Sequence, residues 1–168
     1  MQRIVVSVSN DLVTDQRIAR VCHTLVDAGY ELHLIGRQST ENLERKTPYQ
    51  RTRLKVPFPS GFFMYAYFNI RLFFRLLFQK KDILVANDLD TLLPNFLVSK
   101  LQGKPLVFDS HELFSEIPEL IDRPLTKSVW RFLEKTIIPR IRYGYTVSDS
   151  IANYYLEKYH VSFREVQP

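Results

Sequence analysis

The stretch "DILVANDLDTLLPNFLVSKLQGKPLVFDSHE", residues 82–112, decides how the chain is read. It opens with the apolar run DILVAN (82–87) and closes with a second one, PLVFD (105–109), before the polar Ser110, His111 and Glu112. Continuously apolar, β-branched runs are what parallel strands covered on both faces require. Between them, residues 91–101 place Leu93, Phe96, Leu97 and Leu101 on one helical stripe. Asp90 or Thr91 can cap the start of that helix, and Gly103 stands where a helix ends. The unit is strand, helix, strand.

The same alternation extends in both directions. RIVVSVS (3–9), ELHLIG (31–36), RLKVPF (53–58) and YGYTVS (143–148) read as further strands. Residues 15–28 align Ile18, Val21, Cys22 and Leu25; residues 126–138 align Val129, Trp130, Leu133 and Ile137; residues 149–159 align Ile151, Ala152, Tyr155 and Tyr159. Thr14 or Asp15 and Ser148 or Asp149 can cap two of these helices, and Pro139 should end the one before it. The polar segment 37–51 reads as an exposed loop. The expectation is an α/β fold, a doubly wound, mostly parallel Rossmann-like sheet, as a single domain over residues 1–168.

A single cysteine, Cys22, excludes an internal disulfide and fits a reducing cytoplasm. Arg3 leads straight into a strand, so the N-terminus has no charged-then-apolar leader layout. A cytoplasmic location is expected, with a membrane surface left open. The net charge of +5 is segregated: residues 37–81 hold ten Lys/Arg and two Asp/Glu. Such a segment is either a solvated basic face or a surface for an anionic partner.

Within it lies GFFMYAYFNIRLFFRLLFQKK, residues 61–81. As a helix it sets Phe63, Tyr67, Ile70, Phe74 and Leu77 on one face and Tyr65, Phe68, Leu72 and Leu76 roughly opposite. One face would cover the sheet and the other needs a second partner. Arg71 and Arg75 argue against a membrane span. Phe68, Arg71, Leu72, Arg75, Lys80 and Lys81 are the candidate surface for an anionic membrane or another domain.

Ligands of open parallel sheets bind beyond the carboxyl ends of the strands. The residues there are Asn10, Asp11, Asp15 and Arg17 after the first strand, and Asn87, Asp88 and Asp90 after the fourth. Asp109, Ser110, His111 and Glu112 follow the fifth, and Ser148 the sixth. Caps and turns also use these residue types. Asp90 reads first as a cap. His111 is either a loop histidine satisfied by its neighbours or the reactive group of the edge. Glu112 and Glu116 are one helical turn apart and could share a face. No Gly-rich dinucleotide fingerprint, phosphate loop, nucleophile elbow or metal-ligand spacing is present.

The runs "VSNDLVTDQRIARVCHTLVDAGYELHLIGR", "DILVANDLDTLLPNFLVSKLQGKPLVFDSHELFSEIPEL" and "YGYTVSDSIANYYLEKY" resemble family-4-type glycosyltransferases of the GT-B fold, in a bacterial subgroup. The first loop lacks that family's usual Gly-rich turn. The resemblance implies one half of a GT-B fold, the acceptor-side domain of a retaining, hexosyl-type enzyme. A nucleotide donor and a cell-envelope, polysaccharide or lipid-linked acceptor would be its partners. No metal, cofactor or nucleic acid is expected, because the sugar nucleotide is a substrate. The resemblance implies that His111 projects into the cleft near the donor sugar, with Asn10 to Arg17 facing the acceptor and Asn87 to Asp90 on the same edge. It also implies that a C-terminal donor-binding domain is absent from these residues, and that the 168-residue chain alone is inactive. Two other readings stand beside it: a non-enzymatic binding or scaffold domain, and a fragment of a GT-B-like sugar-nucleotide epimerase.

Overall fold

The computed structural model describes residues 1–12, 15–38, 46–116 and 123–166. Seven strands, β1 (Arg3–Asp11), β2 (Glu31–Arg37), β3 (Gln50–Leu54), β4 (Ile83–Asn87), β5 (Leu106–Ser110), β6 (Tyr143–Thr146) and β7 (Arg164–Glu165), form one sheet. Their order is β3-β2-β1-β4-β5-β6-β7, and every pairing is parallel. This is the doubly wound order, whose direction switches between β1 and β4. The helices are α1 (Gln16–Asp27), α2 (Phe62–Phe78), α3 (Leu89–Gln102), α4 (Pro124–Ile137) and α5 (Asp149–Tyr159).

The strands alternate their side chains between two core layers. Ile4, Val6 and Val8 of β1 pack with Ile18 and Cys22 of α1. Val5 points the other way, into the layer containing Phe68, Leu72 and Leu76 of α2, Leu92 and Val98 of α3, and Trp130 of α4. Period-two alternation on a sheet covered on both sides explains why β1 reads as unbroken apolar sequence.

Several boundaries differ from those read in the sequence. The third strand is Gln50–Leu54, not 53–58. It pairs His33 with Gln50 through Arg37 with Leu54, and Pro57 cannot donate to a ladder. β3 is an edge strand with only Leu54 buried, so its sequence carries no apolar run. The expected loop 37–51 therefore begins and ends in strands, and Tyr49 within it is buried against His23. Residues 39–45 of that segment lie outside the described residues, as do Thr14 and Glu119. The two-residue β7 has no apolar signature and was not expected. Asp15 caps α1, its carboxylate accepting from the Ile18 N–H at 3.0 Å. Ser148 caps α5 in the same way.

Helix α3 starts at Leu89, so Asp90 and Thr91 lie inside it and Asp88 is its cap. Pro94 interrupts its ladder and leaves the Asp90 carbonyl without a helical donor. The Asn69 side chain on α2 donates to that carbonyl at 2.8 Å, which ties the two helices together.

Helix α2 corrects part of the surface expectation. Met64, Phe68, Leu72 and Leu76 recur every fourth residue and are buried. Phe68 and Leu72 are thus core residues, not surface. Lys81 is also buried: its ammonium donates to the carbonyls of Leu76 (2.6 Å) and Gln79 (3.0 Å) and to Gln102 Oε1 (2.6 Å). It satisfies carbonyls at the end of α2, which favours a cation there. Arg71 and Arg75 reach to the edge strand, donating to the Lys55 carbonyl and to Thr52 Oγ1. The opposite face is bare, with Phe63 68%, Ile70 58%, Phe74 54% and Phe78 81% exposed. Among the described residues, no helix is long and apolar enough to cross a membrane.

Candidate active site

The carboxyl ends of β1, β4 and β5 meet at a cavity of about 450 Å³. That size is within the usual range of small-molecule sites. Asn10, Asp15, Arg17, Asn87, Asp88, Asp90 and Glu112 line it, so residues separated by a hundred positions converge. The opposite wall is aromatic. Tyr65, Phe114 and Trp130 meet edge to face, with centroids 5.1–6.0 Å apart. Ser60, Gly61 and Phe62 at the start of α2, and Arg123 and Thr126 at the start of α4, complete the rim. Sequence reading missed this second wall. Phe114 follows β5 by four residues, but Tyr65 and Trp130 sit far from any strand end, and only the packing of α2 and α4 over the sheet edge brings them in.

Ser148 does not line the cavity: it shares a hydrogen bond with Ser150 and caps α5. Ser110 is buried and bonded to Tyr155 at 3.0 Å. The side chain of Asp11 lies outside the described residues. Glu116 pairs with Lys127 and Arg131 and is not part of the cavity lining.

His111 is not among the residues that line this cavity. Its side chain is 12% exposed and held between two carboxylates. Nδ1 lies 3.1 Å from Asp88 Oδ2, and the His111 backbone N–H donates to Asp88 Oδ1 at 2.9 Å. Nε2 is 3.0 Å from Asp109 Oδ1, within ion-pair distance but not aligned as a hydrogen bond. Burial alone would lower the imidazole pKa. The contacts with Asp109 and Asp88 outweigh burial and raise it to about 9. The ring is therefore a cation at neutral pH.

Asp109 is fully buried and is the hub of the inner layer. Tyr145 donates its hydroxyl to Asp109 Oδ2 at 2.7 Å, and Arg17 Nη1 lies 3.5 Å from the same oxygen. Burial, and then the neighbouring Asp109 charge, push the Tyr145 phenol well above its ordinary value. Asp90 is also buried, and Ser9 donates its hydroxyl to the carboxylate. Burial, reinforced by the charge of Asp88, drives its pKa up to about 8, so it holds its proton at neutral pH.

Three polar groups of the lining stand out by what they lack. Asn87 is 2% exposed, and both its amide nitrogen and its amide oxygen are buried with no hydrogen-bond partner among the described residues. Trp130 Nε1 is in the same condition, and Arg17 Nη1 makes no hydrogen bond among the described residues beyond its 3.5 Å ion pair with Asp109. Each such group costs about 1–3 kcal/mol, and natural folds keep few of them. A donor-and-acceptor amide, a guanidinium and an indole N–H around one cavity suit a ligand with several hydroxyl or oxyanion groups. Among the described residues, no group of three His, Cys, Asp or Glu side chains is arranged to hold a metal ion.

Solved structures share this architecture. A sucrose-phosphate synthase from Thermosynechococcus elongatus superposes with a TM-score of 0.74 at 13% identity, covering 99% of this chain and 47% of that one. A Phytolacca americana enzyme solved with UDP-2-fluoro-glucose and pterostilbene gives 0.62 at 11% identity, covering 99% and 53%. The UDP-GlcNAc 2-epimerase of Methanocaldococcus jannaschii gives 0.58 at 16% identity, covering 93% and 42%. The chain thus spans about half the length of these proteins. At these identities the likeness is one of fold, that of a GT-B half. No curated protein matches the chain by sequence. The family model for Glycosyltransferase Family 4 matches residues 15–167. Because that match runs over nearly the whole chain, the protein belongs to glycosyltransferase family 4, and the cavity at its sheet edge is that of a glycosyltransferase domain.

Proposed function

We propose that this chain is the acceptor-side half of a retaining, hexosyl-type glycosyltransferase. It would move a sugar from a nucleotide donor to a hydroxylated acceptor of the cell envelope or of a polysaccharide. The observation that carries this reading is the Asn87 amide and the Trp130 indole N–H, both buried with no hydrogen-bond partner among the described residues, beside the Arg17 guanidinium at one cavity. Sugar hydroxyls would complete them, and the aromatic wall would cover the C–H face of the ring. The donor would be held mainly by a second domain of the same protein, a division supported by the half-length coverage of the solved neighbours. Transfer would pass through an oxocarbenium-like transition state, with positioning and fixed charge doing the catalysis. No cofactor is needed, since the sugar nucleotide is a substrate.

Asn87→Leu in the full chain tests the reading. The two side chains are similar in size, and removing an unsatisfied buried amide costs no stability. The variant should melt at or above the wild-type temperature, while sugar transfer falls at least about tenfold with a higher KM for acceptor. A less stable protein with unchanged transfer would show Asn87 to be structural and sink the proposal. Anomeric configuration of the product, read by NMR, tests retention; the same spectra separate transfer from epimerisation of the donor.

The bare face of α2 is proposed to rest on an anionic lipid surface. Phe63, Ile70, Phe74 and Phe78 would enter the interface. Arg71, Arg75 and Lys80 flank them, and the sequence has no Asp or Glu from residue 45 to residue 81. That charge pattern favours acidic headgroups over a protein partner. Co-sedimentation with phosphatidylglycerol vesicles should weaken with salt and with Phe74→Ser/Phe78→Ser. Equal binding to neutral phosphatidylcholine vesicles would refute it.

A further inference from the structure

We infer that Asp88 is the positioning residue of this site: a strained turn between β4 and α3 lets one carboxylate hold both the main chain and the ring of His111 beside the cavity that Asp88 lines. The inference rests on the reading of that cavity as the transfer site. Asp88 has φ 57° and ψ 171°, a backbone region that only glycine enters freely. Holding a side chain there costs about 1–3 kcal/mol. A glycine would avoid the strain, so the carboxylate must return something.

It returns two bonds between adjacent strand ends, beside a main-chain bond that any residue there would make. The Asp88 N–H donates to the Asp109 carbonyl at 2.8 Å. Its Oδ1 accepts from the His111 N–H at 2.9 Å, and its Oδ2 meets Nδ1 at 3.1 Å. The loop after β5 is thereby pinned to the end of β4, and the ring is turned inward. The far nitrogen then faces Asp109, 3.0 Å away. An imidazole with a carboxylate at each nitrogen retains both protons.

The surrounding charges are accounted for on every side. From α1, Arg17 faces Asp109; from β6, Tyr145 donates to it; from α3, the buried Asp90 faces Asp88. Glu112 follows in the same loop. With His111 charged, Arg17 and His111 offset Asp88 and Asp109, Arg123 offsets Asp15, and Glu112 leaves one net negative charge at the lining. With His111 neutral, the site carries one more negative charge and would repel a phosphate-bearing donor more strongly. His111 thus contributes its charge to the site, and Asp88 maintains that charge.

The experiment is an NMR titration of the His111 ring in this chain, wild type against Asp88→Asn. Asparagine has the shape of aspartate, so it adds no backbone strain beyond that of the wild type, and it keeps an acceptor for the His111 N–H but removes the charge. The wild-type midpoint should lie above pH 8, and the variant should titrate at least about one pH unit lower. Midpoints within a few tenths of each other would overturn the assignment. If the variant melts too early to titrate, the wild-type curve decides alone: a midpoint near 6.5 overturns it. In the full chain, transfer should decline above the wild-type midpoint, and Asp88→Asn should move that decline downward. A shifted NMR midpoint with an unshifted transfer profile would leave the clamp standing and refute the cavity's assigned function instead.

Discussion

Replacing Asp90 by asparagine should make this protein more stable at neutral pH. The carboxyl is buried at the start of α3, beside Asp88, with the Ser9 hydroxyl as its side-chain hydrogen-bond partner among the described residues. Its pKa is 3.8 when free and about 8 in the fold. Because the folded value is raised, the folded state binds the proton more tightly, and stability falls as pH rises from 3.8 to about 8. The slope is about 1.4 kcal/mol per pH unit. From 3.8 to 7 that amounts to about 4 kcal/mol relative to a side chain that never ionises. Water reaching the cavity reduces the penalty, so Asp90→Asn should gain between about 2 and 4 kcal/mol at pH 7. At this chain length the gain corresponds to roughly 5–15 °C in Tm. Urea unfolding followed by fluorescence of Trp130, the single tryptophan, gives the assay at pH 5, 6, 7 and 8. The wild-type curve should decline across this range and the variant should lose most of that decline. A shallower decline should survive in the variant from 6.5 to about 9, because His111 also has a raised value and its stabilisation fades as it deprotonates. Parallel pH curves for the two proteins, or a less stable variant at pH 7, would refute the argument.

Two further predictions concern the core. A methyl group at Gly144 would lie 2.5 and 2.6 Å from the Phe163 ring and 3.1 Å from the Phe108 carbonyl. Phe163 is itself wedged between Phe108 and Tyr155, so Gly144→Ala should cost about 1–3 kcal/mol in urea unfolding, and trimming Phe163 to leucine should recover part of it. Cys22 is fully buried, and burial followed by the charge of Asp15 pushes its thiol up to about 12. Alkylation by iodoacetamide at pH 8 should be at least about 100-fold slower in the native protein than in urea, and comparable rates would show α1 to be open.

The sheet was legible because its central strands are buried on both faces. That burial forces the continuous apolar runs of β1, β4 and β5, and the helices between them carry 3.6-residue stripes. β3 and β7 were misplaced or missed because edge strands bury little and so write little into the sequence. The polar edge was legible by position, since every residue after a central strand must come to the same side. What each residue does there was not. His111 and Asp88 look equally polar in sequence, yet of the two only Asp88 lines the cavity, and His111 is held between two carboxylates. Helix α2 makes the same point. Its apolar composition shows in the sequence, but which four side chains face the sheet depends on the angle at which the helix lands.

The sequence by itself determined the order of elements, the family resemblance and the edge at which chemistry could occur. These follow from local periodicity and from the one-directional topology of parallel strands. Only the tertiary structure decided the aromatic wall, the unpartnered amide of Asn87 and the two carboxylates that hold His111. Those features depend on distances between residues far apart in the chain, and local periodicity carries no record of such distances.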